Sequence, residues 1–218
     1  MIFDFDGTLV DSARCITTSV ERALNDCGCA CDVSRVREQI GLPLDAIIRE
    51  ASAGITEAAI ARVIASYREH YARLEEELIV LFPGARETLD ELHGSAVRLA
   101  IATNKLTARA ESALVRLGVA SRFDAIVGAD RAARPKPHPD ILQEVLVATA
   151  CRASDALMVG DTVWDIEMAR RAGVASCAVT WGNHDAGRLA LAGPSHMVSS
   201  FLELRNLIQS MPADAKRN

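Results

Sequence analysis

No uncharged apolar stretch in the chain approaches the ~20 residues that a membrane-spanning helix needs, so no membrane span is expected. Asp4 and Asp6 interrupt the start, where a secretory signal would place a cationic and then an apolar region. A soluble cytoplasmic protein is therefore expected. Positive charge is not in excess: 24 Lys+Arg stand against 29 Asp+Glu, a net charge of −5. That balance lacks the basic face that nucleic-acid binding requires, so neither nucleic acid nor membrane is an expected partner. Repeats and low-complexity segments are also absent.

The six cysteines, Cys15, Cys27, Cys29, Cys31, Cys151 and Cys177, include no CxxC pair. Six could make three disulfides in a small secreted protein, but this chain is long and without a signal. The run Cys27-Gly28-Cys29-Ala30-Cys31 could be a soft-metal or redox site. It lacks zinc-site spacing and has no histidine nearby to complete four ligands. A loop of small residues between two helices is the expectation.

What is present is ordinary globular composition, with 50% apolar and 24% charged residues over 218 positions. That length suits one large domain, or one domain carrying a smaller insert. Met1–Phe5 reads as a buried strand running into a turn at Gly7-Thr8. A helical tract follows from about Cys15 to Glu77, broken at Gly41-Leu42-Pro43 and at Gly54. Within it Ile60, Val63, Ile64, Tyr67, Tyr71 and Leu74 recur at steps of three and four, the face of a long helix. Thr56 is its expected N-cap.

From Pro83 short apolar runs alternate with helical stretches. The runs are Val97–Thr103, Ala125–Gly128, Ala156–Gly160, Ala175–Thr180 and His196–Val198. The helices are Ala85–His93, Thr107–Leu117, Pro139–Ala150, Thr162–Ala172 and Ser200–Gln209. This alternation predicts an α/β fold with a parallel sheet covered on both faces. The first strand needs partners that only the later half supplies. The expected organisation is a Rossmann-like core of residues 1–13 plus 82–218, with residues 14–81 as a helical insert.

Chemistry-bearing residues fall at the strand ends, where ligands bind in open α/β sheets. Asp4 and Asp6 end the first strand, Thr103 and Asn104 the second, and Asp161 the fourth, with Asp165 four residues on. Lys136 follows the third strand. Carboxylates converging in one crevice repel each other and call for a cation, and oxygen ligands point to a hard ion such as Mg²⁺. Lys136 would hold a phosphate oxygen as a point charge, and Thr103 and the turn after Asp6 would hold others. Each acid taken singly reads as a helix cap or turn former.

Asp4-Phe5-Asp6-Gly7-Thr8 resembles the first motif, DxDGT, of the haloacid dehalogenase superfamily. Thr103 resembles its second motif, Lys136 its third, and Gly160-Asp161-Thr162-Val163-Trp164-Asp165 its fourth, GDxxxD. The four occur in order over nearly the whole chain, and residues 14–81 resemble the family's helical cap. The resemblance implies a phosphatase. Asp4 would be the nucleophile that becomes an aspartyl-phosphate, and Asp6 the acid and then the base. Thr103, Asn104 and Lys136 would bind the phosphoryl group. Mg²⁺ would sit on Asp4, Asp6 (through its backbone carbonyl), Asp161 and Asp165.

Asp6 disfavours a dehalogenase, which lacks that acid, and a phosphonoacetaldehyde hydrolase, which carries Ala there. Arg14, Cys15 and Ile16 stand where beta-phosphoglucomutases have a histidine. Phe82-Pro83-Gly84, Ala102-Thr103-Asn104-Lys105 and Arg134-Pro135-Lys136-Pro137 resemble bacterial phosphoglycolate phosphatases. A small phosphorylated substrate is implied, 2-phosphoglycolate first. Pyrophosphate, then sugar phosphates or nucleotides, are the alternatives, and a non-catalytic phosphate sensor is the remote one. Gly41-Leu42-Pro43 matches the cap loop that faces the site in such enzymes. Arg37 and Arg49 flank it and read either as inward-reaching groups or as solvent-facing ones. Lys105 reads equally as a phosphate neighbour or a surface lysine, and His184 as an exposed loop residue or part of the entrance. Relatives carry a few more residues before the first strand, so either a short strand or a start upstream of Met1 is expected. Monomer and homodimer both remain open.

Overall fold

The computed structural model describes residues 1–95 and 97–211. Its centre is a six-stranded, wholly parallel sheet. The strands are β1 (Ile2–Phe3), β4 (Ala100–Ala102), β5 (Ala125–Val127), β6 (Leu157–Gly160), β7 (Ala175–Val179) and β8 (His196–Val198). Their order is β5-β4-β1-β6-β7-β8. β2 (Val10–Asp11) and β3 (Val80–Leu81) form a separate antiparallel ribbon, pairing Val10 with Leu81 and Asp11 with Val80.

β1 lies between β4 and β6, with Ile2 opposite Ala100 and Met158, and Phe3 opposite Ile101 and Val159. Side-chain alternation sorts these residues to two faces. Ile2, Ala100 and Met158 pack with α7 (Asp140–Ala148) and α8 (Val163–Ala172). Phe3, Ile101 and Val159 join a larger cluster on the other face that includes α5 (Ala85–His93) and α10 (Phe201–Ser210). Burial on both faces explains why these strands are apolar throughout.

β1 spans two residues yet keeps its ladder. The Asp4 amide donates to the Val159 carbonyl at 2.9 Å, and the Ala100 amide to the Met1 carbonyl at 2.9 Å. β4, β5, β6 and β7 are also shorter than their apolar runs, because the outer residues of each run continue as turn or loop, whereas β8 matches its run His196–Val198. Helix α6 (Thr107–Arg116) follows β4. The ribbon β2–β3 and the helix α9 (Ala186–Leu191) carry no strong periodicity and escaped the sequence pattern.

Between β2 and β3 lie α1 (Ala13–Asp26), α2 (Val33–Glu38), α3 (Leu44–Ala51) and α4 (Glu57–Leu78). Asp32 caps α2 by accepting from the Ser34 and Arg35 amides, and Thr56 caps α4 by accepting from Ala59. α4 buries Ile60, Val63 and Tyr71 against α1, the expected face. The Cys27–Cys31 run forms the α1–α2 connection, and its thiols are free. Among the described residues these sulfurs belong to no group of three or more potential metal ligands.

Candidate active site

The strand order reverses at β1, which opens a crevice at the carboxyl ends of β1, β4 and β6. Asp4, Thr103 and Asp161 each follow the last residue of one of these neighbouring strands. All three are buried, as are Lys136 and Asp165. The sequence-predicted residues therefore converge, although they come from four separate stretches of chain.

Lys136 forms the middle of the cluster. Its side chain is 0% exposed, and its Nζ lies 2.7 Å from Asp4 Oδ1 and 2.6 Å from Asp165 Oδ1. Burial alone would lower the ammonium pKa, but Asp165 and Asp4 outweigh it and hold it above the usual lysine range. Asp4 is pushed well above the usual carboxylate range by burial, with Lys136 opposing and the Asp165 and Asp161 charges adding to the rise.

Asp165 has little freedom. Its second oxygen accepts from the Thr162 amide at 3.1 Å and the Thr162 hydroxyl at 2.6 Å, closing a capping box at the start of α8. The same carboxylate thus caps α8 with one oxygen and meets Lys136 with the other.

Asp161 is held by three donors. The Thr8 hydroxyl donates to Oδ1 at 2.8 Å, and the Asn183 amide and Nδ2 each donate to Oδ2 at 2.8 Å. Burial and then the neighbouring Asp165 charge nonetheless raise its pKa to about 7. Gly7 makes this packing feasible. Its φ is +85°, and a Cβ there would stand 2.2 Å from both Asp161 Oδ2 and Asn183 Nδ2.

Asp4, Asp161 and Asp165 bring carboxylate oxygens within 4.8 Å of one another. Three buried carboxylates stand here, two of them raised in pKa by burial and mutual repulsion, and among the described residues Lys136 is the cation paired with them. The donor set is all oxygen, so it fits a hard divalent cation. The Asp6 carboxylate is not in this group. It turns to Lys105, whose Nζ lies 3.0 and 3.2 Å from its oxygens. The Lys105 ammonium also stands 4.7 Å from the centre of the Tyr71 ring and 5.4 Å from that of Phe5. Burial would lower Lys105, but Asp6 outweighs it and its pKa is raised. Lys105 is thus neither a surface lysine nor a free phosphate neighbour.

A cavity of about 380 Å³ opens over Asp4, Asp6 and Thr103 and is roofed by α1, α3, α4 and the Ile40–Leu44 turn. Gly41, Leu42 and Pro43 line it, as the sequence suggested. Arg37 and Arg49 do not; Arg49 instead pairs with Glu57. The Asn104 side chain is engaged at both ends. Its Oδ1 accepts from the Lys136 amide at 2.9 Å, and its Nδ2 donates to the Gly41 carbonyl at 2.8 Å. This side chain ties the roof to the Lys136 loop, so phosphate contact from Asn104 would have to come from its backbone.

His184 is buried, not exposed. Its Nδ1 accepts from the Val163 amide at 3.0 Å, which leaves the proton on Nε2 to donate to the Glu38 carbonyl at 3.0 Å. Sequence reasoning also missed the roles of Thr8 and Asn183. Thr8 stood inside the first motif, and Asn183 beside a glycine after a strand, so a signal existed for both.

The family model described as haloacid dehalogenase-like hydrolase matches residues 1–179. The chain belongs to that family. This hydrolase is 38% identical over 210 residues to the "Probable phosphatase IndB" of Dickeya dadantii, covering 94% of this chain and 90% of that protein. It is 33% identical to a phosphoglycolate phosphatase of Pectobacterium atrosepticum, covering 95% of this chain and 91% of that one. A crystal structure titled as a predicted phosphoglycolate phosphatase from Haemophilus somnus superposes with a TM-score of 0.88 at 26% identity. That match covers 95% of this chain and 96% of the other.

Proposed function

We propose that this family member is a Mg²⁺-dependent phosphatase that works through an aspartyl-phosphate on Asp4, with residues 14–81 acting as a helical cap. Family membership makes it a phosphatase-type hydrolase. The observation that carries the mechanism is the buried Asp4 carboxylate at the cavity floor. It is held 2.7 Å from Lys136, with Asp6 two residues on.

Lys136 orients Asp4 and offsets the charge that accumulates when a phosphoryl group arrives. Asp4 attacks phosphorus in line while Asp6, having taken up a proton from solvent on leaving Lys105, gives it to the departing oxygen. For this Asp6 has to turn from Lys105 to the leaving group. Asp6 then takes a proton from water, whose oxygen attacks the aspartyl-phosphate and frees phosphate and the Asp4 carboxylate. Thr103 lines the same floor and can donate its hydroxyl to the phosphoryl group. Asp4 and Asp161 would hold the Mg²⁺ ion, with the Asp6 backbone carbonyl and Asp165 as further supports. The ion would supply charge neutralisation for the phosphoryl oxygens.

2-Phosphoglycolate is the first substrate to assay, since a relative at 33% identity carries that name. The mainly apolar cavity walls favour an organic monoester over pyrophosphate. The six free cysteines accord with the reducing conditions of a cytoplasm.

The test is phosphate release with Mg²⁺ by wild type and Asp4→Asn, each checked for folding by circular dichroism. Asp4→Asn should release none, because an amide cannot form the acyl phosphate, and excess EDTA should stop the wild type. A folded Asp4→Asn protein that keeps most of the wild-type rate would overturn the mechanism.

A further inference from the structure

The cavity has two chemically distinct ends. Its floor carries Asp4, Asp6 and Thr103, which the phosphoryl group requires. Its roof is formed by Ile40, Leu42, Leu44 and Ile47 on one side and Ile64 and Tyr67 of α4 on the other. Tyr67 and Tyr71 stand with ring centres 5.5 Å apart, so part of this wall is aromatic. The charged groups near the roof do not offset that character. Lys105 is bound to Asp6 at 3.0 Å, and Arg109 faces Glu75 at 3.7 Å. Arg68 and Asp45 are exposed residues of opposite charge along the lining.

A carboxylate placed against this roof would lose water, gain no buried cation that is not already paired, and find one unpartnered buried donor, the Tyr71 hydroxyl, which is too little to offset the loss. A flat apolar group would gain the burial that the carboxylate forfeits, with edge contacts to the tyrosines. Ligand pockets of roughly 300 Å³ and above accommodate molecules well beyond two carbons, and about 380 Å³ lies in that range.

We propose that the leaving group of the physiological substrate is an uncharged, ring-bearing alcohol, seated between the Ile40–Ile47 segment and the Ile64–Tyr67 face of α4. This rests on the phosphatase reading above and departs from 2-phosphoglycolate as the preferred ester.

Two experiments separate this proposal from that reading. The first compares kcat/KM of the Mg²⁺-loaded protein for benzyl phosphate, 2-phosphoglycolate, pyrophosphate, and an ethyl-to-butyl phosphate series. Benzyl phosphate should exceed 2-phosphoglycolate by at least about tenfold, and each added methylene should gain about fourfold. Ile64→Arg should shrink the benzyl preference and improve 2-phosphoglycolate. Equal or reversed preference in the wild type overturns the proposal while leaving the phosphatase reading intact. The second measures calorimetric binding of 2-phenylethylphosphonate and 3-phosphonopropionate, which differ only in phenyl for carboxylate and need no turnover. Tighter binding of the phenyl compound supports the apolar subsite independently of turnover, whereas failure of every ester to be hydrolysed would sink the phosphatase reading and the leaving-group assignment with it. Equal or weaker binding of the phenyl compound overturns the proposal.

Discussion

Replacing Lys136 by Met keeps most of the side-chain volume and removes the ammonium that lies between two buried carboxylates. In the wild type this ammonium is 2.7 Å from Asp4 and 2.6 Å from Asp165, and its side chain is wholly buried. Removing one partner from a buried ion pair costs about 3–5 kcal/mol, because the charge left behind is neither paired nor hydrated. With a urea m-value of roughly 2 kcal/mol/M, the midpoint should fall by about 1.5–2.5 M at pH 8 in EDTA.

The pH dependence has a defined sign. The Lys136 pKa is raised in the folded state, so its stabilisation is complete below the unfolded lysine pKa and constant between pH 5 and 8. Any change of the Lys136→Met deficit in that window comes from the carboxylates beside it, since groups elsewhere titrate alike in both proteins. The Asp4 pKa is raised by burial, so its contribution to stability is lost as pH rises through the folded value. Loss of Lys136 raises Asp4 further. The deficit of Lys136→Met should therefore be smaller at pH 5 than at pH 8. Urea denaturation of both proteins at the two pH values checks this. A deficit below about 1 kcal/mol at pH 8, or one independent of pH, would refute the reasoning that Lys136 compensates buried charge.

Gly7→Ala should lower both activity and melting temperature. The left-handed backbone costs about 1–2 kcal/mol for a residue with a Cβ, and the new methyl would stand 2.2 Å from Asp161 Oδ2, which must move. Wild-type rate and melting temperature in this variant would contradict the packing described. The His184 pKa is lowered by burial, so its contribution to stability is present above the unfolded histidine pKa and lost as pH falls below it. Melting curves of wild type and His184→Phe should converge from pH 7.5 to 5.5, by at most about 1.4 kcal/mol per pH unit; parallel curves would exclude His184 as the titrating group.

Much of the site was legible because its key residues sit where local structure meets sheet topology. Asp4, Thr103 and Asp161 directly follow apolar strands, and a parallel sheet places such positions along one edge whatever the loops do. Gly7, next to Asp6, marked the turn that brings the chain close to Asp161. The strand and helix alternation after Pro83 was legible for the same reason: strands buried on both faces read as continuous apolar runs. The ribbon β2–β3 was not legible, since two-residue strands leave no periodicity, and neither was the single-turn-scale α9.

By itself the sequence determined the α/β class, the order of its main strands and helices, and the acids and lysine proposed to carry the chemistry, because these sit at positions that local patterning marks. Only the tertiary structure decided how those residues are partnered. Lys105 meets Asp6 across 99 positions and Thr8 meets Asp161 across 153. His184 reaches the Glu38 carbonyl across 146. No local rule ties such distant residues together; the first two pairs meet because β1 lies between β4 and β6, and the third because the path of α1–α4 carries Glu38 to His184. The same path decided that the wall facing Asp4, Asp6 and Thr103 is mainly apolar. Ile40, Leu44 and Tyr67 belong to different helices and turns, and they share one cavity only after the chain has closed on itself.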